Sequence, residues 1–419
     1  MIAPRIEEQY VGGIRVLTLK TAINGVVQVV GSFRSNPDFG AGHDLVQDVM
    51  VSLLDQGTRH RDRFELASLL ERRGSERKYS SDNLRVSFQA RMLTDELPTV
   101  LSIVAEELRA PAFDETEFDK TRARIRAGLQ RSMESTSSRA SAALTRLMVP
   151  EDHPVFVPAY ADDIRALESL TPAQIATYYA EHVGANDLVL VAVGDIDHST
   201  FVAAVETHLG DWATHNVANP TFASTSRPTA QEAIETVPGK ANLDVVWGHV
   251  LPLRRTDPDF LPLFLGVYGL GGNFSARLMA RVRDEQGLTY GTYARLGGVS
   301  TQHDMFWKVG ITLSPEHYAR GLTAVMHEIE TFIQDGLTSE EVAEKVETVV
   351  GSFQVGLATT SGLAHAIHQV AARSFPLSFL DTYPDEVAAL TASSVNRAVA
   401  THLASADLCR VSAGVVPTA

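Results

Sequence analysis

The chain carries a partial copy of itself. Leu170-Thr171 recurs as Leu390-Thr391, His182 as His402, Asp187-Leu188 as Asp407-Leu408 and Gly194 as Gly414, all at one ungapped offset. Apolar positions keep the same step, Ile175 matching Val395 and Val191 matching Val411. Each copy reads as a Thr-capped helix, a short polar turn and an apolar strand that stops at Gly. A repeat of this kind points to two homologous domains of about equal size. The segment 215–231, rich in Asn, Thr, Ser and Pro, is the natural linker. The expected division is therefore 1–214, 215–231 and 232–419.

Periodicity fills in both halves. The alternating runs IRVLTL and VVQVVGSF between residues 13 and 33 predict strands, as does 84–90. Helical spacing is predicted over 44–54, 63–73, 96–108 and 115–134. The second half predicts strands near 242–250 and 305–313, with helices at 260–268, 315–334, 339–356 and 363–372. The fold class expected is α+β: two homologous domains, each a mostly antiparallel sheet covered by long helices.

Composition narrows the partners. The 419 residues carry a formal net charge of −15, and an acidic surface repels phosphate backbones and anionic membranes. Nucleic acid is not an expected partner, and no apolar stretch is long enough for a membrane span. The single cysteine, Cys409, sits in an apolar run and reads as a small buried hydrophobe in a strand. The first residues show neither a basic nor an apolar leader segment, so the expected compartment is the cytoplasm, or the periplasm if a leader has been removed.

Residues 42–58 read GHDLVQDVMVSLLDQGT. The tail Leu53-Leu54-Asp55-Gln56-Gly57-Thr58 resembles the one that follows the His-x-x-Glu-His zinc helix of the pitrilysin and insulinase type of peptidase. In that motif two histidines one turn apart hold zinc, and the Glu activates the bound water. Here the five motif positions are Asp48, Val49, Met50, Val51 and Ser52, so both histidines and the base are absent. The family's third ligand, a Glu on a later long helix, falls in FDKTRARIRAGLQ from Phe118, which has Arg and Ala where carboxylates are expected. The family's Asn-Ala after Gly74 is replaced by Ser75, Glu76, Arg77 and Lys78. The second half keeps its motif: GLGGNFSARLMARVRDEQGLTYGTYA, from Gly269, matches the family's Gly-rich turn, then an Arg and, seven residues on, a Tyr. These are Arg283 and Tyr290.

The resemblance covers nearly the whole chain and is closest to non-catalytic subunits of the compact two-domain type. It implies half of a clam-like chamber paired with a homologous zinc-bearing subunit as a heterodimer. No cofactor is expected on this chain, with zinc on the partner and Asp48, Val51 and Ser52 as degenerate metal positions. Arg283 and Tyr290 would act in trans on unstructured peptides: the Tyr hydroxyl donates to the oxyanion of the scissile carbonyl, and the guanidinium grips carbonyls or a carboxylate. Gly271, Gly272, Asn273 and Phe274 would face the peptide, near Arg277. The alternative implied is an inert scaffold of the kind the family supplies to respiratory assemblies, with Arg283 and Tyr290 as relics.

Other clusters read more plainly. Asp44 and Asp48 share a helix face with His43 nearby, but a further ligand is lacking, so solvated charge is the better account. His365 and His368 lie one turn apart without a third ligand and read as polar helix-face residues. Arg122, Arg124 and Arg126 alternate by two and do not share one face.

Overall fold

The computed structural model describes residues 1–35, 43–82, 84–215 and 222–417; the side chains of residues 43 and 44 are also outside the description. Two compact units emerge, and neither is a continuous stretch of chain. The first comprises Met1–Arg126, Arg165–Asn219 and Ser352–Pro384; the second comprises Ala127–Ile164, Pro220–Gly351 and Asp385–Ala419. Each chain half thus lends a segment to the other unit, an exchange that the contiguous division 1–214 and 232–419 does not contain.

In the first unit, β1 (Glu7–Val11), β2 (Ile14–Lys20), β3 (Val26–Arg34), β4 (Glu76–Ser81), β5 (Arg85–Leu93) and β6 (Val189–Gly194) form one sheet in the order β1-β2-β6-β3-β5-β4. The second unit's sheet has β7 (Glu232–Thr236), β8 (Leu243–Leu251), β9 (Thr292–Gly297), β10 (Met305–Leu313) and β11 (Cys409–Gly414), in the order β7-β11-β8-β10-β9. Without β1 the two orders are the same. β6 runs parallel to β2 and antiparallel to β3, as β11 runs parallel to β7 and antiparallel to β8. β4 and β9 are therefore equivalent edge strands.

The helices, in chain order, are α1 (His43–Val51), α2 (Arg63–Glu71), α3 (Leu97–Arg109), α4 (Glu115–Glu134), α5 (Thr136–Met148), α6 (Tyr160–Ser169), α7 (Pro172–His182) and α8 (His198–Leu209). There follow α9 (Phe260–Gly271), α10 (Tyr318–Asp335), α11 (Ser339–Gly356), α12 (Thr360–Ala372), α13 (Phe379–Ala388) and α14 (Ala392–His402). The repeat read from the sequence is here in three dimensions. α7 and α14 both start on a threonine capping box, at Thr171 and Thr391, each satisfying otherwise orphan amides of the first turn. Both following strands end at a glycine with positive φ, Gly194 at 138° and Gly414 at 136°. A Cβ on Gly194 would lie 2.1 Å from the Val26 carbonyl oxygen, so the strand can leave the sheet there only as glycine.

The exchanged segments seal the cores. α12, from the second half, packs Ala364, Ile367, Val370 and Ala371 on Leu17, Leu19, Val30, Val189, Val191 and Val193 of the first sheet. α5, from the first half, packs Ala140, Ala143, Leu144 and Met148 on Val246, Val250, Cys409 and Val411 of the second. Each follows a long helix, α4 or α11, so the same element of the repeat is traded in both directions. β6 shows why two coverings are needed: VLVAVG is buried at every position, and both faces of the strand must be kept from water. Cys409 is fully buried in β11, as its apolar surroundings predicted. His368 differs from the sequence reading. α12 lies against β3, so this residue is buried, with Nε2 2.9 Å from Ser32 Oγ, while His365 is half-buried. Burial lowers the His368 imidazole to about 3 and holds it neutral. Among the described residues, no helix is long and apolar enough to cross a membrane.

Candidate functional site

In the first unit Asp48, Val51 and Ser52 lie at the end of α1. This helix stops at Val51 rather than continuing to residue 54. Leu53 and Leu54 donate to Met50 and Val51 in tight three-residue steps, and both leucines are buried. Their burial turns the chain and leaves Ser52 off the helix. Val49 and Met50 are wholly buried, whereas Asp48 is exposed and accepts a hydrogen bond from Ser81 of β4. Thr58 closes the turn: its hydroxyl donates to Glu106 and accepts the Arg61 amide at 3.0 Å. The LLDQGT tail therefore has a structural purpose of its own.

A cavity of about 410 Å³ opens beside this turn. Val51 and Ser52 line it with Arg63, Arg77, Lys120 and Arg124, so the two motif positions face guanidinium and ammonium groups. One wall is a buried network. Arg77 donates to the Glu107 carboxylate at 2.9 and 2.7 Å, and the Tyr79 hydroxyl donates to it at 2.6 Å. Glu107 is fully buried. Burial pushes its carboxyl above the ordinary range, while Arg77 and Tyr79 pull the other way by binding the ionised form. Zinc does not fit this donor set, since cations line the wall where carboxylate and imidazole would be needed. Among the described residues, no three His, Cys, Asp or Glu side chains converge as a metal-ligand group. The side chains of His43 and Asp44 lie outside the described residues.

The arginines of α4 part company. Arg122 pairs with Asp119 at 2.7 Å, Arg126 with Glu168 at 3.4 Å, and Arg124 enters the cavity lining. The signal for Arg124 was present in the sequence, because residues 117, 120, 121 and 124 fall on one helix face. The Arg77–Glu107–Tyr79 network had no comparable signal, its partners being far apart along the chain.

In the second unit, α9 ends against the edge strand. A Cβ on Gly271 would lie 2.2 Å from the Ala294 amide nitrogen, so glycine is what lets α9 approach β9 this closely. Gly272 caps the helix beside the Tyr268 ring. The turn that follows is pinned. Asn273 Oδ1 accepts from Ser275 Oγ at 3.2 Å, and the buried Lys345 donates to Ser275 Oγ at 2.7 Å. Arg277 is held by Glu341 through bonds of 2.6 and 2.7 Å, which pull that carboxyl down to about 2 against the opposing effect of burial. Arg277 is thus a strut of the turn. Phe274 between these anchors is 77% exposed.

Arg283 sits on a wide π-helical segment, Met279–Glu285. Such segments recur at functional sites. Gly287 then reverses the chain at a φ of 63°, Leu288 is buried and donates to Val282 at 3.2 Å, and Tyr290 emerges. The Thr289 hydroxyl donates to the Thr312 carbonyl at 2.5 Å and the Gly291 carbonyl accepts from the Thr312 amide at 3.2 Å, so both neighbours of Tyr290 are tied to β10. Tyr290 itself is 90% exposed. The Arg283 guanidinium lies 5.7 Å from the Phe274 ring centroid and 5.6 Å from that of Tyr290. The structure thus brings exposed Phe274 and Tyr290 together with half-buried Arg283 in one group, with Gly271 and Gly272 serving as its packing base.

Comparisons with known proteins agree with this architecture. A family model described as insulinase (peptidase family M16) matches residues 19–152, and one described as peptidase M16 inactive domain matches residues 169–349. A Streptomyces coelicolor protein described as an uncharacterized zinc protease is 25% identical over 85% of this chain and 78% of its own length. A Helicobacter pylori protein described as a non-peptidase homolog is 18% identical over 86% of this chain and 82% of its own. Among solved structures, a peptidase M16 inactive domain from Pseudomonas fluorescens superposes with a TM-score of 0.87 at 22% identity, over 99% of this chain and 98% of that one. A protease from Helicobacter pylori superposes with a TM-score of 0.86 at 14% identity, over 98% and 99%. The chain belongs to the M16 peptidase family, as a member without the His-x-x-Glu-His side chains at positions 48–52.

Proposed function

We propose that this protein is the non-catalytic subunit of a two-chain M16 peptidase, and that Arg283 and Tyr290 complete the active site of a homologous zinc-bearing partner. The observation that carries the reading is the exposed group itself. A tyrosine 90% exposed and rooted at both neighbours in β10 stands beside an arginine whose ion pair among the described residues is its own neighbour Asp284, at 3.4 Å. An exposed ring of that size contributes almost nothing to stability where it is.

Zinc on the partner would supply the activated water. This chain's part is to hold peptide and charge. The Tyr290 hydroxyl donates a hydrogen bond to the oxygen that becomes negative at the scissile carbonyl. The Arg283 fork binds substrate carbonyls or a carboxylate, with the Phe274 and Tyr290 rings beside it. The relative named a zinc protease and the one named a non-peptidase homolog bracket this role.

The test is turnover of an unstructured peptide by this chain alone, by the zinc-bearing partner alone, and by both mixed. Activity confined to the mixture, and lost by Tyr290→Phe without loss of pairing, is the expected result. Full activity from the partner alone would leave this chain an inert scaffold.

A further inference from the structure

The cavity that replaced the metal site has its own electrostatic logic. Arg63, Arg77, Lys120 and Arg124 line it, and Lys78 borders it from edge strand β4. Two acids share the lining, and both are already engaged. Glu117 meets Lys120 at 2.8 Å and Arg63 at 3.5 Å. Asp55 accepts from Gln56 at 2.5 Å and lies 3.8 Å from Arg77. Arg77 is held mainly by Glu107 in the wall behind. Arg124 is left with no acidic partner among the described residues, and the buried Nε of Arg63 has no hydrogen-bond acceptor. In a chain of net charge −15, a concave wall with surplus guanidinium donors is not a sample of the general surface.

We infer that this cavity is a carboxylate-binding site that receives an acidic residue or the C-terminal carboxylate of an extended peptide. Cations crowded into one concavity raise each other's energy, and an anion seated among them removes that cost. A carboxylate accepts the paired donors of a guanidinium in a planar fork, and Arg124 has no acidic partner among the described residues to give up first. The occupant is peptide rather than a free anion because the cavity opens beside β4, which among the described residues pairs only with β5. The free side of an edge strand offers main-chain donors and acceptors to an extended segment, so backbone pairing and charge recognition meet at one place. The site belongs wholly to the first unit and does not depend on the role proposed for Arg283 and Tyr290.

Binding to the isolated full chain decides it. The probes are a fluorescent Glu-containing unstructured decapeptide with an amidated end, the same peptide with Gln for Glu, and the Gln peptide with a free C-terminal carboxylate. The expected result is that one or both carboxylate-bearing peptides bind about tenfold or more tighter than the amidated Gln peptide. Arg124→Gln and Arg63→Gln should each remove most of that preference, and their ratio tells side-chain from terminal carboxylate. Arg122→Gln, on the same helix but paired with Asp119, should change it by less than about twofold. Tyr290→Phe should leave it intact, so failure here and failure of the trans-acting role are read separately. Equal binding of all three peptides overturns the inference, as does a preference untouched by Arg124→Gln and Arg63→Gln. Inorganic phosphate that displaces the peptide better than chloride at equal ionic strength, and binds by itself more tightly, also overturns it in favour of a free-anion site.

Discussion

The end of α1 beside β4 and the end of α9 beside β9 are the same place in two copies of one fold, and they have been put to opposite uses. In the first unit the helix end meets a polar interior. Arg77, Tyr79 and Glu107 bury charge behind a concave cationic wall. In the second the helix is almost wholly apolar, Gly271 lets it press on β9, and the Phe274 and Tyr290 side chains stand outside. One site keeps its chemistry inside and is tied to stability. The other leaves Phe274 and Tyr290 exposed, with little part in the packing of the unit. Duplicated scaffolds can diverge this way because helix, edge strand and turn are held by packing that does not involve the site residues.

That contrast can be broken by experiment. The largest effect is expected at Glu107→Ala, which strands the Arg77 charge beside a buried Tyr79 hydroxyl and should cost about 3–5 kcal/mol in denaturant unfolding. A loss below about 1 kcal/mol would mean the network is not the interior prop described.

Acid should come next. Burial lowers His368 to about 3, and His153 and His249 to about 4, from an ordinary 6.5. The unfolded chain therefore takes up protons near pH 6.5 that the folded chain refuses until about pH 4 or lower. Stability should fall as pH drops through that window, by on the order of 3 kcal/mol per imidazole. Two of the three belong to the second unit, so its unfolding should shift more steeply with acid, and His249→Gln should flatten the slope. A melting temperature level from pH 7 to 5 would contradict the buried neutral state.

Gly271→Ala is a smaller structural test. The added methyl meets the Ala294 amide, and the helix must back away from β9 at a cost of roughly 1–3 kcal/mol. Phe274 should lose part of its placement with it, read as reduced activity of the reconstituted pair. Smallest of all, Tyr290→Phe and Phe274→Ala should change stability by less than about 0.5 kcal/mol, because both side chains are exposed. A large loss at either position would show the exposed group to be structural after all.

Much of this fold was legible beforehand. The Thr171 and Thr391 caps, the strands ending at Gly194 and Gly414, and the bounds of α4 and α11 follow from local chemistry, which a sequence states directly. Phe274, Arg283 and Tyr290 were named through the family resemblance, and the structure makes their side chains neighbours. The early end of α1 was not, because the burial of Leu53 and Leu54 overrides helical periodicity. Nor was the inward face of His368, since periodicity says which residues share a face but not which sheet that face will cover.

The sequence by itself determined a duplicated α+β chain, a zinc motif without ligands and an Arg–Tyr motif after a Gly-rich turn. Those are properties of neighbours along the chain. Only the tertiary structure decided that α5 and α12 trade units, that Arg77 and Tyr79 converge on Glu107, and that Arg63 and Arg124 face one cavity. The physical reason is that burial and charge pairing are settled by distance in space, and closing long loops to bring such groups together costs entropy that only the whole packed core can offset.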